Sequence, residues 1–311
     1  MPTPKPSFLP PGRLSLEACR VFLREALTPV TTSQAQCTTE THWLLEKATG
    51  MSPSAWLANP RTLLSTQARE QLDHWLHQRV VDRCPIQYLL GEAHFFGLTF
   101  AVSPAVLIPR PETELLVEAA VAEALHRLKH STGTLRIVDV GTGSGCIPIA
   151  IGHTLRSQLS NKDWKRIEVL AVDCSSEALA VATQNATKHA IPITFYQGSW
   201  LQPLLAGKLT VEMIISNPPY IPSAVCNELA PEVIGHEPRL ALDGGPDGLQ
   251  PYRELFAQAK GCLTPNGWIS CEFGGYQASL ITTLLHSFGF QSVYVQQDLA
   301  GVERLVTARQ S

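Results

Sequence analysis

From position 135 onward, apolar runs of strand length alternate with helix-length stretches, and this alternation constrains the fold more than any other feature. The strand candidates are 135–140, 169–173, 193–196, 211–216, 267–273, 292–296 and 305–308, with helical spacing over 177–188 between two early ones. Several runs are apolar without a break, as expected for strands covered on both faces. The pattern predicts an α/β fold with a doubly wound, mostly parallel sheet of seven strands. Ligands of such sheets bind beyond the carboxyl ends of the strands.

The preceding region has a different character. Leu16, Cys19, Leu23, Ala26 and Leu27 keep helical spacing, and a second helix through Trp43-Leu44-Leu45 stops at Gly50. Ser52-Pro53 opens a short third helix that ends before Asn59-Pro60. Ser65 caps a fourth, whose inner face carries Ala68, Leu72, Leu76 and Val80. Residues 1–92 are therefore expected to form a small all-α domain. Residues 93–109, where 95–100 and 106–108 flank Ser103-Pro104, are expected to form a β-hairpin linker. Residues 110–311 remain for the sheet domain. Glu112 and Glu114 sit where a helix begins and its dipole favours carboxylates.

The first strand candidate runs into Gly141-Thr142-Gly143-Ser144-Gly145 and then an apolar helix. A glycine-rich turn there lets backbone amides approach a ligand. The spacing is Gly-x-Gly-x-Gly, which differs from the Gly-x-Gly-x-x-Gly of dinucleotide binders. Asp173 ends the second strand, where a carboxylate can accept both hydroxyls of a ribose. Trp200 follows the third strand and can either stack on an adenine or fill the core. Together these residues point to a nucleoside-containing cofactor. The polar stretch between the first two strands reads as a surface loop.

The fourth strand ends in Asn217-Pro218-Pro219-Tyr220. Pro218 cannot donate to a sheet and disfavours helix at Asn217, so the chain must leave the strand at this point. A carboxamide oxygen beside a proline carbonyl makes two adjacent acceptors, suited to gripping an NH2 group. A nicotinamide oxidoreductase would use a similar cofactor loop but has no use for this tetrapeptide.

Other classes are disfavoured by composition. A net charge of −3 gives no bulk attraction to a polyanion, and stable nucleic-acid binding is not expected. The eight cysteines form no Cys-x-x-Cys pair, so neither a zinc nor a redox motif is present. Met1-Pro2-Thr3-Pro4-Lys5-Pro6 lacks the apolar core of a signal peptide, and no apolar run is long enough to span a bilayer. A cytoplasmic monomer without a metal is expected.

With these residues in place, the chain resembles the class I S-adenosylmethionine-dependent methyltransferases, with their Rossmann-like fold. More narrowly, it resembles the release-factor glutamine N5-methyltransferases, the PrmC/HemK family. The resemblance covers nearly the whole chain. It rests on Gln87-Tyr88-Leu89-Leu90-Gly91, Leu107-Ile108-Pro109-Arg110-Pro111-Glu112-Thr113-Glu114, the glycine loop and Asn217-Pro218-Pro219-Tyr220. It continues in Glu237-Pro238, Ala241-Leu242-Asp243-Gly244-Gly245 and Asp298-Leu299-Ala300-Gly301. The resemblance implies that Gly141, Thr142, Gly143, Ser144 and Gly145 hold the methionine part of S-adenosyl-L-methionine, Asp173 its ribose and Trp200 its adenine. It also implies that Asn217 and the Pro218 carbonyl hold the substrate amide while Pro219 and Tyr220 wall the site. The implied substrate is the glutamine of the Gly-Gly-Gln motif in class I peptide chain release factors, docked by the helical module. Ser199 departs from the family pattern, where an acidic residue is common, and the first crossover is lengthened.

An amide nitrogen is a poor nucleophile, so orientation is the expected means of catalysis, with proximity and alignment supplying roughly 7–11 kcal/mol. No base is needed before attack. None of the ten histidines is assigned a role, and Glu112 and Glu272 are the carboxylates to watch. Two other readings compete. N6-adenine methylation of DNA would need base flipping and a positive track. A non-catalytic adaptor would have no need of an intact Asn217-Pro218-Pro219-Tyr220.

Overall fold

The computed structural model describes residues 7–311; the proline-rich residues 1–6 lie outside the described residues. The chain divides into two compact units. The first runs up to Gly91 and includes Ala230–His236; the second comprises Glu92–Leu229 and Glu237–Ser311.

The first unit is helical: α1 (Leu16–Leu27), α2 (Gln34–Thr49), α3 (Pro53–Ala58), α4 (Thr66–Val80) and α5 (Ile86–Leu90). Ser15, Ser33, Ser52 and Ser65 each accept a first-turn amide through the side chain. Gly50 ends α2 in the left-handed conformation, at φ 67°. Leu23, Leu27, Leu44, Leu45, Leu72 and Leu76 are fully buried in its core. Beside them lies Arg79, whose side chain is 3% exposed. Its guanidinium donates to Glu40 at 2.9 Å, to the Val30 carbonyl at 3.0 Å and to Glu232 at 2.9 Å. Glu232 also pairs with Arg83 at 2.6 Å, and His236 bonds the Asp82 carbonyl. These charges seat Ala230–His236 in this unit.

The second unit begins with the hairpin β1 (Glu92–Phe95) and β2 (Leu98–Ala101), followed by α6 (Glu114–His130), β3 (Leu135–Val140), α7 (Cys146–Gln158) and α8 (Asn161–Trp164). Then come β4 (Ile167–Asp173), α9 (Ser176–His189), β5 (Thr194–Gln197), α10 (Gln202–Ala206) and β6 (Val211–Ser216). After α11 (Pro231–Ile234), which belongs to the first unit, the chain forms α12 (Gln250–Cys262), β7 (Leu263–Glu272), α13 (Ala278–Ser287), β8 (Phe290–Gln297) and β9 (Glu303–Gln310). The seven strands lie in the order β5-β4-β3-β6-β7-β9-β8, parallel except for β9, which is antiparallel to both neighbours. This is the doubly wound sheet that the alternation predicts. Along β3 and β6, Ile137, Met213 and Ile215 pack toward α6 and α7, while Val138, Val140 and Ile214 pack toward α12 and α13. The strand order reverses between β3 and β6, so a crevice opens where their carboxyl ends diverge.

The structure differs from expectation in two places. The hairpin closes at Phe96-Gly97, with φ values of 50° and 72°, and 106–108 is not a strand. The two left-handed residues supply the tight turn, and a phenylalanine in that position gives no turn signal. Ser103-Pro104 instead makes a separate turn that buries Val106 and Ile108. The lengthened first crossover contains the helical turn α8, capped by Ser160, and Trp164 packs against the apolar core.

The Arg79 cluster carries a prediction. Glu40→Ala leaves a buried guanidinium short of a partner, at a cost of about 3 kcal/mol. The urea midpoint of the helical unit is expected to fall accordingly, and an unchanged midpoint would show that the pair contributes nothing net.

Candidate active site

The loop after β3 is shaped by glycine where the backbone requires it. Gly143 has φ 54°, and its N–H donates to Asp173 Oδ2 at 2.8 Å. Gly145 has φ 77°, and a Cβ there would stand 3.1 Å from the Ala182 Cβ, so α7 and α9 pack closely only because none is present. Asp173 Oδ1 accepts the Ser175 N–H at 2.9 Å, and Ser175 caps α9. One carboxylate thus fixes both the glycine loop and the start of the next helix. Each of its oxygens retains capacity for a further donor.

A cavity of about 710 Å3 lies over these groups, within the second unit. Of the residues predicted for the site, Gly141, Gly143, Asp173, Trp200, Asn217 and Pro219 line it, as does Ser199. Thr142 and Ser144 are buried within the loop, and Gly145 begins the turn into α7. Trp200 packs against the sheet core and also lines the cavity. Its Nε1 donates to Glu254 at 2.6 Å, fixing the ring.

The electrostatics favour a cationic guest. Among the described residues, Asp173, Asp243 and Glu254 line the cavity against one basic side chain, Arg239. Asp139, at the end of β3, is 1% exposed, and neither of its carboxylate oxygens has a hydrogen-bond partner. Burial pushes its pKa up to about 7; the nearby Thr142 hydroxyl offsets part of that rise and the Asp173 charge adds to it. A pyrophosphate would meet repulsion here, whereas a sulfonium or ammonium would not.

The strand-ending tetrapeptide is held from several sides. The Ser216 hydroxyl donates to the Val140 carbonyl at 2.7 Å, tying β6 to β3. Asn217 Nδ2 donates to Thr113 Oγ1 at 3.1 Å. Among the described residues, neither Asn217 Oδ1 nor the Pro218 carbonyl accepts a hydrogen bond. Pro218 is buried and Tyr220 half-buried. The Tyr220 carbonyl accepts from Gln277 Nε2 at 3.0 Å, and a Cβ on Gly244 would come within 2.9 Å of the Tyr220 backbone. Ile221 pairs with Asp243, so Ala241-Leu242-Asp243-Gly244-Gly245 braces the turn. Burial, with the Glu272 charge, pushes the Tyr220 hydroxyl up to about 12, so it stays protonated at neutral pH.

Thr113 did not stand out in the sequence, although it lies within Pro111-Glu112-Thr113-Glu114. The two carboxylates there and Glu272 have distinct surroundings. Glu114 Oε1 accepts the Phe96 N–H at 2.8 Å and so anchors the hairpin turn. Glu272 is 3% exposed, and its Oε2 has no hydrogen-bond partner. Its pKa is pushed up to about 7, mainly by burial; hydrogen bonding from Thr113 opposes the rise, the Glu112 charge adds to it, and Arg304 and Asn217 oppose it. Arg110 pairs with Glu237 at 2.5 Å at the mouth of this region.

Comparison with known proteins places these features in a family. A model described as PrmC N-terminal domain matches residues 21–91, and one described as Methyltransferase small domain matches 113–245. The release factor glutamine methyltransferase of Geobacter sulfurreducens is 39% identical over 270 residues, covering 87% of this chain and 88% of that protein. The release factor glutamine methyltransferase of Synechocystis sp. is 38% identical over 278 residues, covering 88% and 90%. The solved hMettl16 catalytic domain in complex with a MAT2A 3'UTR hairpin covers 80% of this chain and 84% of that one, with a TM-score of 0.50 and 16% identity, a likeness of fold alone. At these identities and coverages, the chain belongs to the release factor glutamine methyltransferase family.

Proposed function

We propose that this protein transfers a methyl group from S-adenosyl-L-methionine to the side-chain amide nitrogen (N5) of the glutamine in the Gly-Gly-Gln motif of class I peptide chain release factors. The observation that carries the reading is the Asn217 carboxamide. Its nitrogen is committed to Thr113, Asn217 itself lines an acidic cavity, and Pro218 with its free carbonyl follows it directly in the chain. Two adjacent acceptors match the two N–H groups of a primary amide. The relatives named above act on release factors, which selects a glutamine over the other flat NH2 groups that such a pair would grip.

The residues of the cavity fit the donor. Gly141, Thr142, Gly143, Ser144 and Gly145 would hold its methionine part, Asp173 the ribose hydroxyls and Trp200 the adenine. The acidic lining and the buried Asp139 suit its positive charge. When bound, such a donor supplies a methyl group already activated on a positively charged sulfur. The protein's part is to present the nucleophile. Asn217 Oδ1 and the Pro218 carbonyl would take the two amide protons and fix the nitrogen lone pair in line with the methyl carbon. As positive charge develops on the nitrogen, both acceptors bind it more tightly than in the ground state. The surplus proton then passes to water. Tyr220 and Pro219 would wall the pocket, and the helical unit would dock the release factor.

Two variants test this reading. Asn217→Ala is expected to lower kcat by about 100-fold or more, with donor affinity retained. The measurement is transfer of labelled methyl to purified release factor, with the label mapped to the Gly-Gly-Gln glutamine; unchanged transfer by the variant would overturn the amide grip. Asp173→Ala is expected to weaken donor binding by about 10- to 100-fold, through loss of charge-assisted hydrogen bonds. Calorimetric titration reads that loss, and an unchanged affinity would remove Asp173 from the donor site.

A further inference from the structure

The Asn217 carboxamide can grip an NH2 group only if its oxygen, rather than its nitrogen, faces the substrate. The two ends of a carboxamide have nearly the same shape, so packing alone cannot choose between them. The choice must come from the groups behind it. Thr113 Oγ1 lies 3.1 Å from Asn217 Nδ2, and the Thr113 residue is 2% exposed. A hydroxyl serves either as donor or as acceptor, so Thr113 by itself would accommodate both orientations of the amide. Behind Thr113 and Asn217 stands Glu272, at the end of the adjacent strand β7. Its carboxylate is close enough to both side chains for them to favour its ionised form, and it is enclosed, 3% exposed, with Oε2 unpartnered among the described residues.

We propose that Glu272 and Thr113 form a one-way hydrogen-bond relay that sets the orientation of Asn217, making both of them positioning residues for amide methylation. An ionised carboxylate only accepts. Glu272 therefore draws the Thr113 hydroxyl proton toward itself, and Thr113 Oγ1 is left to accept from Asn217 Nδ2. With the amide reversed, Asn217 Oδ1 would face an oxygen that has no proton to give and a carboxylate that cannot donate. The unfavourable acceptor-to-acceptor contact excludes that orientation, and Oδ1 is presented to the site. A buried carboxylate is costly to hold, and among the described residues nothing pairs with its second oxygen. Its cost becomes intelligible if its role is to give the relay a direction. A neutral glutamine in its place can donate as well as accept. Thr113 is then free to turn its proton toward a reversed Asn217, and the direction is lost.

The inference rests on the amide-methylation reading and adds to it a dependence on the charge of Glu272. The charged and titratable groups that bear on Glu272 are Glu112 before α6, Arg304 on β9, Tyr220 after β6, Cys146 at the start of α7 and Tyr252 on α12. Thr113 and Asn217, beside it, favour its ionised form. With burial as the main cause, its proton leaves at about 7. The ionised form is the one that directs the relay, so turnover is lost as pH falls through that value and is regained above it.

The test compares wild type, Thr113→Val, Thr113→Ser and Glu272→Gln in steady-state methylation of release factor between pH 5.5 and about 8.5, a span that brackets an ionisation near neutrality. Donor binding by calorimetry serves as the check that each variant is folded. Thr113→Val and Glu272→Gln are expected to lower kcat by about 10- to 100-fold with KM for the donor unchanged, the scale of loss for a misaligned reacting group. Thr113→Ser restores most of the rate because it restores the hydroxyl. The acidic limb of the wild-type kcat profile disappears in Glu272→Gln. A full rate in Thr113→Val, or a limb that survives in Glu272→Gln, overturns the relay while leaving the activity itself established. Absence of methyl transfer by the wild type would instead overturn the functional reading on which the relay stands.

Discussion

The hydrogen bond from Asn217 Nδ2 to Thr113 Oγ1 anchors the carboxamide at the edge of the cavity, and much of the second unit serves to make that bond possible. Asn217 occupies its place because Pro218 ends β6 at the point where the strand order reverses, beside the glycine loop of β3. The turn beyond it is braced by Ile221 against Asp243 and by Gln277 against the Tyr220 carbonyl, so the two prolines are held as well as stiff. Thr113 reaches the site because Glu114, its neighbour, is anchored to the hairpin amide at Phe96. The pieces are far apart in sequence, and they meet because the sheet brings the ends of β3, β6 and β7 to one edge.

The same edge gathers negative charge. Asp139, Asp173 and Glu272 come from the ends of β3, β4 and β7, and two of the three are buried with raised pKa values. In most folds such carboxylates would be a liability, because desolvation disfavours the ionised form. A methyl donor with a positively charged sulfur would offset part of that cost for Asp173, which lines the cavity. The lining fits the same charge: among the described residues Asp173, Asp243 and Glu254 stand against one basic side chain, Arg239.

The sequence disclosed the strands, the glycine loop, Asp173 and the Asn-Pro turn because each has a local signature: apolar period, left-handed glycine, or a proline that breaks a strand. It concealed whatever depends on contacts across the sheet. Thr113 carries no signal of its own between two glutamates, and its place against Asn217 arises only when α6 docks. Phe96 carries no turn signal, so the left-handed turn that closes the hairpin is not legible in the sequence and 106–108 reads as its second arm. Trp200 is ambiguous in sequence between core and site, and its ring both lies on the core and lines the cavity. The Arg79 cluster was likewise invisible, because Glu232 joins it from more than a hundred residues away.

The most direct test of the central geometry is a crystal structure of the protein with S-adenosyl-L-homocysteine and a Gly-Gly-Gln peptide. The glutamine side-chain nitrogen is expected within hydrogen-bond distance of both Asn217 Oδ1 and the Pro218 carbonyl, with Asn217 Nδ2 still on Thr113 and the donor's ribose on Asp173. A glutamine bound through its carbonyl oxygen, or a peptide seated away from Asn217, would contradict the amide grip.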